Sequence, residues 1–256
     1  MADPTLHLPR ILCLHGGGVT AEVFRLQSRS LIKQLQRHFR LCFVDGPFLS
    51  DPGPGMIPTF QNYAPFRRWL CWKPDHHPND AEEIINEIDR ALQAAMAADD
   101  AKGATGEWAG LMGFSQGGKI CASLLYRQQI RAEKLGTARS GSRFRFAVLL
   151  AARPPLVSLD TELLTSSALA EASEITTGTF QNYQVPERQI SLPTVHVHGL
   201  RDPGLPLHRK LLQWCERGTA RVVEWDGDHR VPVREKDVAL VVDQILLVAK
   251  QTGTLC

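Results

Sequence analysis

The chain has 256 residues, of which 43% are apolar and 22% charged, a size and composition typical of a globular domain with a sizeable core. Its formal net charge of +2 comes from 29 basic and 27 acidic side chains, with no long run of either sign. This balance gives no electrostatic reason to expect nucleic acid or an anionic membrane as a partner. We therefore expect a small-molecule substrate, and a single domain over residues 1–256.

The N-terminal segment and the cysteines indicate where the protein functions. Residues 1–10 carry Asp3 and two prolines and lack the apolar core of a secretory signal. The first apolar run, at residues 11–14, is far too short to cross a bilayer. The six cysteines are scattered, with no C-x-x-C pair and no spacing with histidine that suggests zinc. These features predict a cytoplasmic protein with free thiols and no bound metal.

Short apolar runs alternate with helical patterns along the chain. Runs of this kind are typical of strands buried on both faces, as in parallel sheets. Strands are predicted at residues 10–14, 41–44, 109–113, 144–150, 194–198 and 221–225. Apolar residues at helical spacing predict helices within residues 23–39, 84–96, 120–125, 207–214 and 238–248. The alternation predicts a doubly wound, mostly parallel α/β sheet flanked by helices.

Two long stretches interrupt the alternation, at about residues 46–78 and 152–191. Segments of this length in a compact domain are usually functional lids or disordered connectors, and their apolar content favours lids. In a doubly wound sheet, ligands bind outside the carboxyl ends of the strands. The residues just after each predicted strand are therefore the candidates for a functional site.

Aromatic side chains concentrate in the first of these stretches, at Phe60, Tyr63, Phe66 and Trp69. Ligand pockets are mostly hydrophobic with few polar groups, so these rings are candidates for an apolar wall against an acyl chain. An equally good interpretation is a small satellite core beneath a long loop. The sequence leaves both interpretations open.

The third predicted strand runs into a G-x-S-x-G motif at residues 113–117, with Ser115 at its centre. In a nucleophile elbow, the serine occupies a tight strand-to-helix turn that projects its hydroxyl above the sheet, and the glycines relieve crowding. The bare pattern also arises by chance in glycine-rich turns. A strand before the motif and a helical pattern after it favour Ser115 as a nucleophile.

A second glycine-rich turn, His-Gly-Gly-Gly at residues 15–18, follows the first predicted strand. Hydrolases with such a loop place one oxyanion-hole amide there and pair it with the amide after the nucleophile. We assign these donors to the amides of Gly17 and Gln116, which would face the negative charge of the transition state. A phosphate-binding loop is disfavoured, because neither G-x-G-x-x-G nor G-K-[ST] is present.

Asp202 and His229 complete a candidate catalytic triad. Asp202 follows the fifth predicted strand and His229 the sixth, in the serine, aspartate, histidine order of such hydrolases. Asp226 and Asp228 compete for the role of the acid, but their adjacency to the histidine hinders a side chain from reaching back to Nδ1. His198, the nearest rival base, precedes the acid in the chain.

These residues predict acyl transfer through a covalent intermediate. His229 takes the proton of Ser115 as the hydroxyl attacks an acyl carbon, and Asp202 orients the imidazole. Water activated by the same histidine then releases the acid. This chemistry requires neither a metal ion nor an organic cofactor.

The motifs together resemble the fungal serine hydrolase family, which has the α/β-hydrolase fold. The resemblance is carried by residues 15–17, 44–47, 113–117, 198–202 and 227–229 and extends over nearly the whole chain. Residues 53–56, 58–60 and 65–69 resemble more specifically the branch of that family found in polyketide gene clusters. The resemblance implies hydrolysis of a thioester on the acyl carrier domain of a polyketide synthase, or of a related polyketide ester.

Arg153, after the fourth predicted strand, stands where relatives often carry small or apolar residues. It is a candidate to bind a carboxylate or the phosphate of phosphopantetheine, and a plain surface arginine is an equally good interpretation.

For the protein as a whole, a general carboxylesterase acting on small acyl esters would use the same catalytic residues. A non-catalytic hydrolase fold used for binding is disfavoured by the intact Ser, Asp and His in the expected order, although fold alone does not establish activity.

Overall fold

The computed structural model of the protein describes residues 3–76, 80–164, 166–175 and 184–256. The strands are β1 (Arg10–Leu14), β2 (Arg40–Val44), β3 (Phe48–Ser50), β4 (Phe66–Arg68), β5 (Trp108–Phe114), β6 (Phe146–Leu150), β7 (Thr194–Gly199) and β8 (Ala220–Trp225). The α-helices are α1 (Ala21–Gln27), α2 (Arg29–Leu35), α3 (Ala81–Asp100), α4 (Gln116–Leu135), α5 (Leu205–Leu211) and α6 (Glu235–Gln251). Short 3₁₀ helices are formed by Gln61–Tyr63, Thr137–Arg139 and Leu212–Trp214.

The main sheet has six parallel strands in the order β2-β1-β5-β6-β7-β8. Each of these strands corresponds to one predicted from the sequence, and the predicted α/β-hydrolase architecture is confirmed. The strand order reverses between β1 and β5, which lie side by side although they are far apart in the chain. Such a reversal opens a crevice at the carboxyl ends of the strands, where doubly wound sheets bind ligands.

Helices cover both faces of the main sheet. Along β1, Ile11 and Cys13 contribute to the core on one face, and Leu12 and Leu14 to the core on the other. The first core also receives residues of α1, α2 and α6, and the second receives residues of α3, α4 and α5. Burial on both faces explains why the strands are continuously apolar in sequence. In the described part of the chain, no helix has both the length and the hydropathy needed to cross a membrane.

The helical pattern at residues 23–39 forms two helices instead of one continuous helix. α1 ends and α2 begins at Ser28, whose backbone angles of φ −89° and ψ 6° depart from those of an α-helix. The buried hydroxyl of Ser28 makes no hydrogen bond among the described residues, and its amide donates to the carbonyls of Phe24 and Leu26 at the end of α1. With the bend at Ser28, Phe24 and Leu31 both reach the same core.

The first predicted insertion, at residues 46–78, contains a hairpin that its sequence did not indicate. β3 and β4 pair in antiparallel fashion, with Phe48 opposite Arg68. Arg67 of β4 also exchanges backbone hydrogen bonds with Val19, in the loop after β1. Residues 77 and 78 of the insertion lie outside the described residues. The described part is therefore attached to the loop after β1.

The described parts of the second predicted insertion, at residues 152–191, pack onto α4. Arg127 of α4 donates a hydrogen bond to the carbonyl of Leu159 (3.0 Å), and Arg131 pairs with Asp160 (2.6 Å). The apolar side chains of this insertion join the core that also contains residues of α3, α4 and α5. These side chains are Leu156, Val157, Leu159, Leu164, Ala168, Leu169 and Ala172. Residues 165 and 176–183 lie outside the described residues. The lid function expected for both insertions stays a prediction.

A buried carboxylate joins β1 and β2 to the end of α3. Arg40 donates to the two oxygens of Asp99 at 2.7–3.0 Å, and Arg10 lies 3.5 Å from the same carboxylate. Burial alone would raise the pKa of Asp99, but the hydrogen bonds from Arg40 hold it below its usual range. Asp99 therefore remains charged and compensates two arginines with little access to solvent.

We expect Asp99→Ala to lower the free energy of unfolding by about 3 kcal/mol, because two largely buried guanidinium groups would lose their shared carboxylate. Urea unfolding at pH 7 measures the change. The matched control is Asp243→Ala on the exposed side of α6, which should alter the free energy by less than about 0.5 kcal/mol. Equal stability of the two variants would contradict the role given to Asp99.

Candidate active site

Ser115 occupies the turn between β5 and α4. Its backbone angles are φ 53° and ψ −113°, outside the regions that residues with a side chain normally adopt. The amide of Ser115 donates to the carbonyl of Leu150 at the end of β6 (2.8 Å), which ties the turn to the neighbouring strand. Strain of this kind persists only where the surrounding structure enforces it, and it clusters at functional sites.

Two glycines allow the turn by letting backbone segments approach closely. A Cβ at Gly117 would lie 2.1 Å from the carbonyl oxygen of Leu14, and one at Gly113 would lie 2.4 Å from the backbone of Gly117. Because a side chain at either position would collide with backbone, only glycine lets α4 begin directly against the end of β1. The turn therefore opens into the crevice between β1 and β5.

The side chains of Ser115, His229 and Asp202 meet at the carboxyl end of the sheet. Ser115 Oγ lies 3.0 Å from Nε2 of His229, and Nδ1 of His229 lies 2.6 Å from Oδ2 of Asp202. An ionised carboxylate only accepts hydrogen bonds, so Nδ1 carries the proton and Nε2 accepts from the serine hydroxyl. The His229 side chain is 44% exposed, so the serine–histidine edge faces solvent.

Asp202 is charged although it is buried. Burial alone would raise its pKa, but hydrogen bonds from His229 and from the amide of Gly204 (2.7 Å) hold the pKa of the carboxyl below its usual range. The amide binds Oδ1 and the imidazole binds Oδ2, so each oxygen has a donor. This arrangement keeps the carboxylate in one orientation towards His229.

The rival residues lie elsewhere. Asp226 and Asp228 adjoin His229 in sequence, but each pairs with a surface arginine, at 3.2 Å and 3.3 Å. His198 is buried in β7, with Nδ1 3.6 Å from Glu224. Among the hydrogen bonds described, neither aspartate binds Nδ1 of His229, and His198 does not bind Ser115.

The loop after β1 brings Gly17 next to Gln116, the pair predicted to supply the oxyanion-hole amides. A Cβ at Gly17 would lie 3.4 Å from the side-chain oxygen of Gln116. Gln116 is the first residue of α4, so its amide lies at the positive end of the helix dipole. Within the described residues, neither amide donates to another backbone group. Their role as oxyanion donors stays a prediction.

His15 holds this loop through two hydrogen bonds. Its fully buried ring donates from Nδ1 to the carbonyl of Gly16 (2.7 Å) and accepts at Nε2 from the amide of Gly46 (2.8 Å). Burial lowers the pKa of His15 to about 4, so the ring is neutral at pH 7 and can serve as donor and acceptor at once. His15 is therefore a structural residue of the loop that carries Gly17.

The side chain of Gln116 makes a second connection, which the sequence did not indicate. Its Oε1 accepts from the amides of Trp69 (2.8 Å) and Leu70 (3.2 Å), and its Nε2 donates to the carbonyl of Leu70 (3.0 Å). The indole of Trp69 donates in turn to the carbonyl of His15 (3.0 Å). The first insertion therefore connects the residue after Ser115 to the loop that carries Gly17.

The four aromatic residues predicted to line an acyl site pack in two places: Trp69 joins a main core of the sheet, and Phe66, with Phe60 and Tyr63 against it, belongs to a small satellite core. Trp69 is fully buried and Phe66 is 4% exposed, so the structure corrects the prediction that these two rings face a ligand. Phe66 packs in a small cluster, and the half-buried Phe60 and Tyr63 lie against it. The other buried members of that cluster are Val19, Val23 and Met56. The apolar content of the segment reflects packing beneath the loop.

Trp72, the last residue of the aromatic-rich stretch at residues 60–72, lies beside the loop that carries Gly17. A Cβ at Gly17 would lie 3.4 Å from its indole, and the indole Nε1 donates to Ser50 Oγ (3.2 Å). The ring is half-buried, so part of it stays accessible beside the oxyanion loop. Its only sequence signal was its position at the end of an aromatic-rich segment.

Two cations approach the site from the second insertion and from α4. Arg153 is half-buried, and burial lowers its pKa while the nearby charge of Asp202 opposes that shift. Lys119, one turn after Ser115, is only 4% exposed. Burial, together with the charge of Arg153, lowers the pKa of Lys119 to about 7 against the opposing charge of Glu174. Binding of an anionic group by Arg153 stays a prediction. The burial of Lys119 was not indicated by any pattern in the sequence.

Asp202, His208 and His229 place potential metal-ligand atoms within 4.8 Å of one another. The spacing fits a hydrogen bond better than metal coordination. Nδ1 of His229 and Oδ2 of Asp202 are 2.6 Å apart, whereas two ligands of one tetrahedral zinc ion are separated by about 3.3 Å. A reaction without metal or cofactor stays the expectation for this site.

Comparison with known proteins points to the same class of enzyme. The chain matches the family described as Serine hydrolase (FSH1) over residues 5–241. It is 53% identical over 255 residues to Esterase citA of Monascus ruber, covering 99% of this chain and 97% of that protein. It is 51% identical over 257 residues to Probable esterase tazC of Aspergillus terreus, covering 99% of this chain and 97% of that protein.

Solved structures share the fold at low sequence identity. A carboxylesterase from Mesorhizobium loti superposes with a TM-score of 0.53 at 17% identity, covering 93% of this chain and 88% of that one. Acyl-protein thioesterase 2 of Zea mays superposes with a TM-score of 0.51 at 14% identity, covering 94% of both chains. At such identity, the likeness concerns the fold alone.

We expect Gln116→Leu to lower the free energy of unfolding by about 1–3 kcal/mol, because the variant leaves the backbone groups of Trp69 and Leu70 without partners. The rate of ester hydrolysis should fall as well, since the same contacts hold the Gly17 loop. Urea unfolding and kcat measure the two effects. Gln93→Leu on the exposed side of α3 is the control. If Gln116→Leu matched this control in both measurements, the hydrogen bonds from Gln116 to Trp69 and Leu70 would contribute neither to stability nor to the rate.

Proposed function

Because the chain belongs to the FSH1 serine hydrolase family, we propose that Ser115, His229 and Asp202 are its catalytic triad and that it releases an acyl group from a thioester or ester. The observation that carries this proposal is the continuous chain of hydrogen bonds from Ser115 Oγ through His229 to Asp202. The strained turn at Ser115 supports it, since backbone angles of this kind cluster at functional sites.

In the first step, Ser115 Oγ attacks the acyl carbon while its proton passes to Nε2 of His229. The imidazolium that forms is stabilised by the Asp202 carboxylate, which accepts from Nδ1 throughout. Negative charge develops on the acyl oxygen, and the amides of Gln116 and Gly17 are placed to bind it. The imidazolium then protonates the departing thiol or alcohol, and an acyl-enzyme ester remains on Ser115.

In the second step, water takes the place of the leaving group. His229 Nε2 accepts a proton from the water as the water oxygen attacks the acyl carbon of the ester. The tetrahedral intermediate collapses, the proton returns to Ser115 Oγ, and a free carboxylic acid leaves. The half-exposed His229 gives water direct access to this edge of the site.

The finer proposal is that the acyl group is a polyketide carried on the acyl carrier domain of a polyketide synthase. Its support is the resemblance of residues 53–56 to the polyketide-cluster branch, and the place of that segment in the fold. The amide of Gly53 donates to the carbonyl of Gly18 (2.8 Å), so the segment borders the oxyanion loop. Arg153, which lies close enough to Asp202 for their charges to interact, would offer positive charge to an anionic group of the substrate or its phosphopantetheine arm.

The second candidate is a general carboxylesterase for small acyl esters. The solvent-facing edge of His229 favours it, because a free ester could reach Ser115 without delivery by a carrier. The names of the relatives, Esterase citA and Probable esterase tazC, fit either candidate function. Release of a polyketide from a carrier and cleavage of a small ester are both hydrolyses of an acyl group.

A fluorophosphonate should form one adduct with the wild-type protein and none with Ser115→Ala, as measured by intact-protein mass spectrometry. The variant should keep its fold and lose roughly 10⁴- to 10⁶-fold in kcat. Ser167→Ala, an exposed serine of the second insertion, is the control and should retain the adduct. Near-normal turnover by a folded Ser115→Ala protein would refute the proposed mechanism.

Substrate class is decided by presenting one acyl chain in three forms: on an acyl carrier domain, as its N-acetylcysteamine thioester, and as a small alkyl ester. We expect kcat/KM to be at least about tenfold higher for the carrier-bound form, corresponding to about 1.4 kcal/mol of additional transition-state binding. Equal or higher kcat/KM for the alkyl ester would favour the carboxylesterase.

A further inference from the structure

A buried histidine that the proposed triad does not use lies beside the acid. His208 is on α5 and is 1% exposed. Its Nδ1 lies 3.7 Å from Oδ2 of Asp202, the same oxygen that accepts from His229. The rings of His208 and His229 are 5.9 Å apart and inclined by 33°. Two imidazoles therefore flank one carboxylate oxygen, and only one of them can exchange a proton with Ser115.

The turn that binds Asp202 also fixes the position of His208. Gly204 donates its amide to Oδ1 of Asp202, and its carbonyl accepts from the amide of His208 (3.0 Å). A Cβ at Gly204 would lie 2.8 Å from Nε2 of His208 and 3.1 Å from Oδ1 of Asp202. Only glycine leaves room there for the ring and the carboxylate together, so both are held in register by one short turn.

The nitrogen of His208 that faces Asp202 has no other hydrogen-bond partner in the described part of the chain. Nδ1 of His208 makes no hydrogen bond within the described residues. Burial lowers the pKa of this histidine to about 4, with the charge of Asp202 opposing the shift, so the ring is neutral at pH 7. A neutral imidazole carries one N–H, and the carboxylate is the acceptor nearest to Nδ1.

Behind His208, a second buried ring closes the space. His198 of β7 lies with its ring 5.7 Å from that of His208, and it is itself 1% exposed. His208 therefore cannot swing away from Asp202 into the sheet. A separation of 3.7 Å is too long for a hydrogen bond, but catalytic hydrogen bonds are often long in the free enzyme and shorten in the transition-state complex.

We propose that His208 is a positioning residue, which directs its Nδ1–H at Oδ2 of Asp202 and holds that carboxylate against His229 during catalysis. The proposal rests on the proposed function, since it concerns the acid of the same triad. His208 does not touch the substrate and exchanges no proton with Ser115. It acts through Asp202, by fixing its orientation and by drawing part of its negative charge.

The charge effect has a definite sign. A donor to Oδ2 draws part of the negative charge of the carboxylate, so Asp202 stabilises a protonated His229 less when His208 is present. Four other groups set the charge around Asp202: His229 itself, the amide of Gly204, Arg153 from the loop after β6, and His198 from β7. None of these changes when His208 alone is replaced.

His208→Phe keeps a ring of similar size and removes the donor. We expect kcat to fall roughly 10- to 100-fold with little change in KM. The acid limb of the kcat/KM profile should move to higher pH, because His229 then holds its proton more tightly. His208→Gln, whose amide can still donate to the carboxylate, should recover part of kcat and keep the acid limb near that of the wild type. His7→Gln, at an exposed position near the N-terminus, is the control.

Gly204→Ala provides a second route if His208→Phe does not fold. The added Cβ crowds the His208 ring at 2.8 Å and Oδ1 of Asp202 at 3.1 Å, so it disturbs the contact between these two side chains, and the acid limb should again move to higher pH. An unchanged acid limb in the folded variants overturns the inference. The proposed function fails separately, if the wild type shows no hydrolysis that Ser115→Ala abolishes. A structural role alone would lower stability and kcat without moving the acid limb.

Discussion

The site depends on one backbone constraint, the left-handed turn at Ser115. Its angles raise the hydroxyl above the ends of the strands, and the turn is held by the hydrogen bond from its amide to Leu150. Glycine at 113 and 117 lets α4 start against β1, which brings the amide of Gln116 beside the loop that carries Gly17. Without that contact, the proposed oxyanion donor at Gly17 would lie apart from Ser115 and from the amide of Gln116.

Support for the site comes from segments outside the sheet. The first insertion forms hydrogen bonds to Gln116 and to His15 in the loop after β1. These bonds hold in place the two segments whose amides are proposed to bind the oxyanion. On the opposite side, the turn at Gly204 holds Asp202 and places His208 behind it. These contacts preorganise groups that would otherwise lose catalytic geometry, because small displacements of a proton acceptor or a donor cost large factors in rate.

Much of the fold and of the candidate site could be predicted from the sequence. The central strands β1, β5 and β6 are short apolar runs, because burial on both faces requires it. Ser115, Asp202 and His229 each follow a strand, so the alternation of elements was enough to place them at one edge of the sheet. The aromatic segment was ambiguous for a physical reason: rings packed in a core and rings lining a ligand site have the same composition, and only burial showed that the rings of Trp69 and Phe66 are enclosed by protein.

The sequence by itself determined the fold and the order of the candidate catalytic residues, since both follow from local periodicity and from motifs of a few neighbouring positions. Only the tertiary structure decided which distant groups meet. The side chain of Gln116 binds backbone 46 residues away in the chain, and the rings of His208 and His229, which come from different segments, meet at one oxygen of Asp202. Such contacts depend on three-dimensional approach between segments with no shared pattern, so neither composition nor spacing could reveal them.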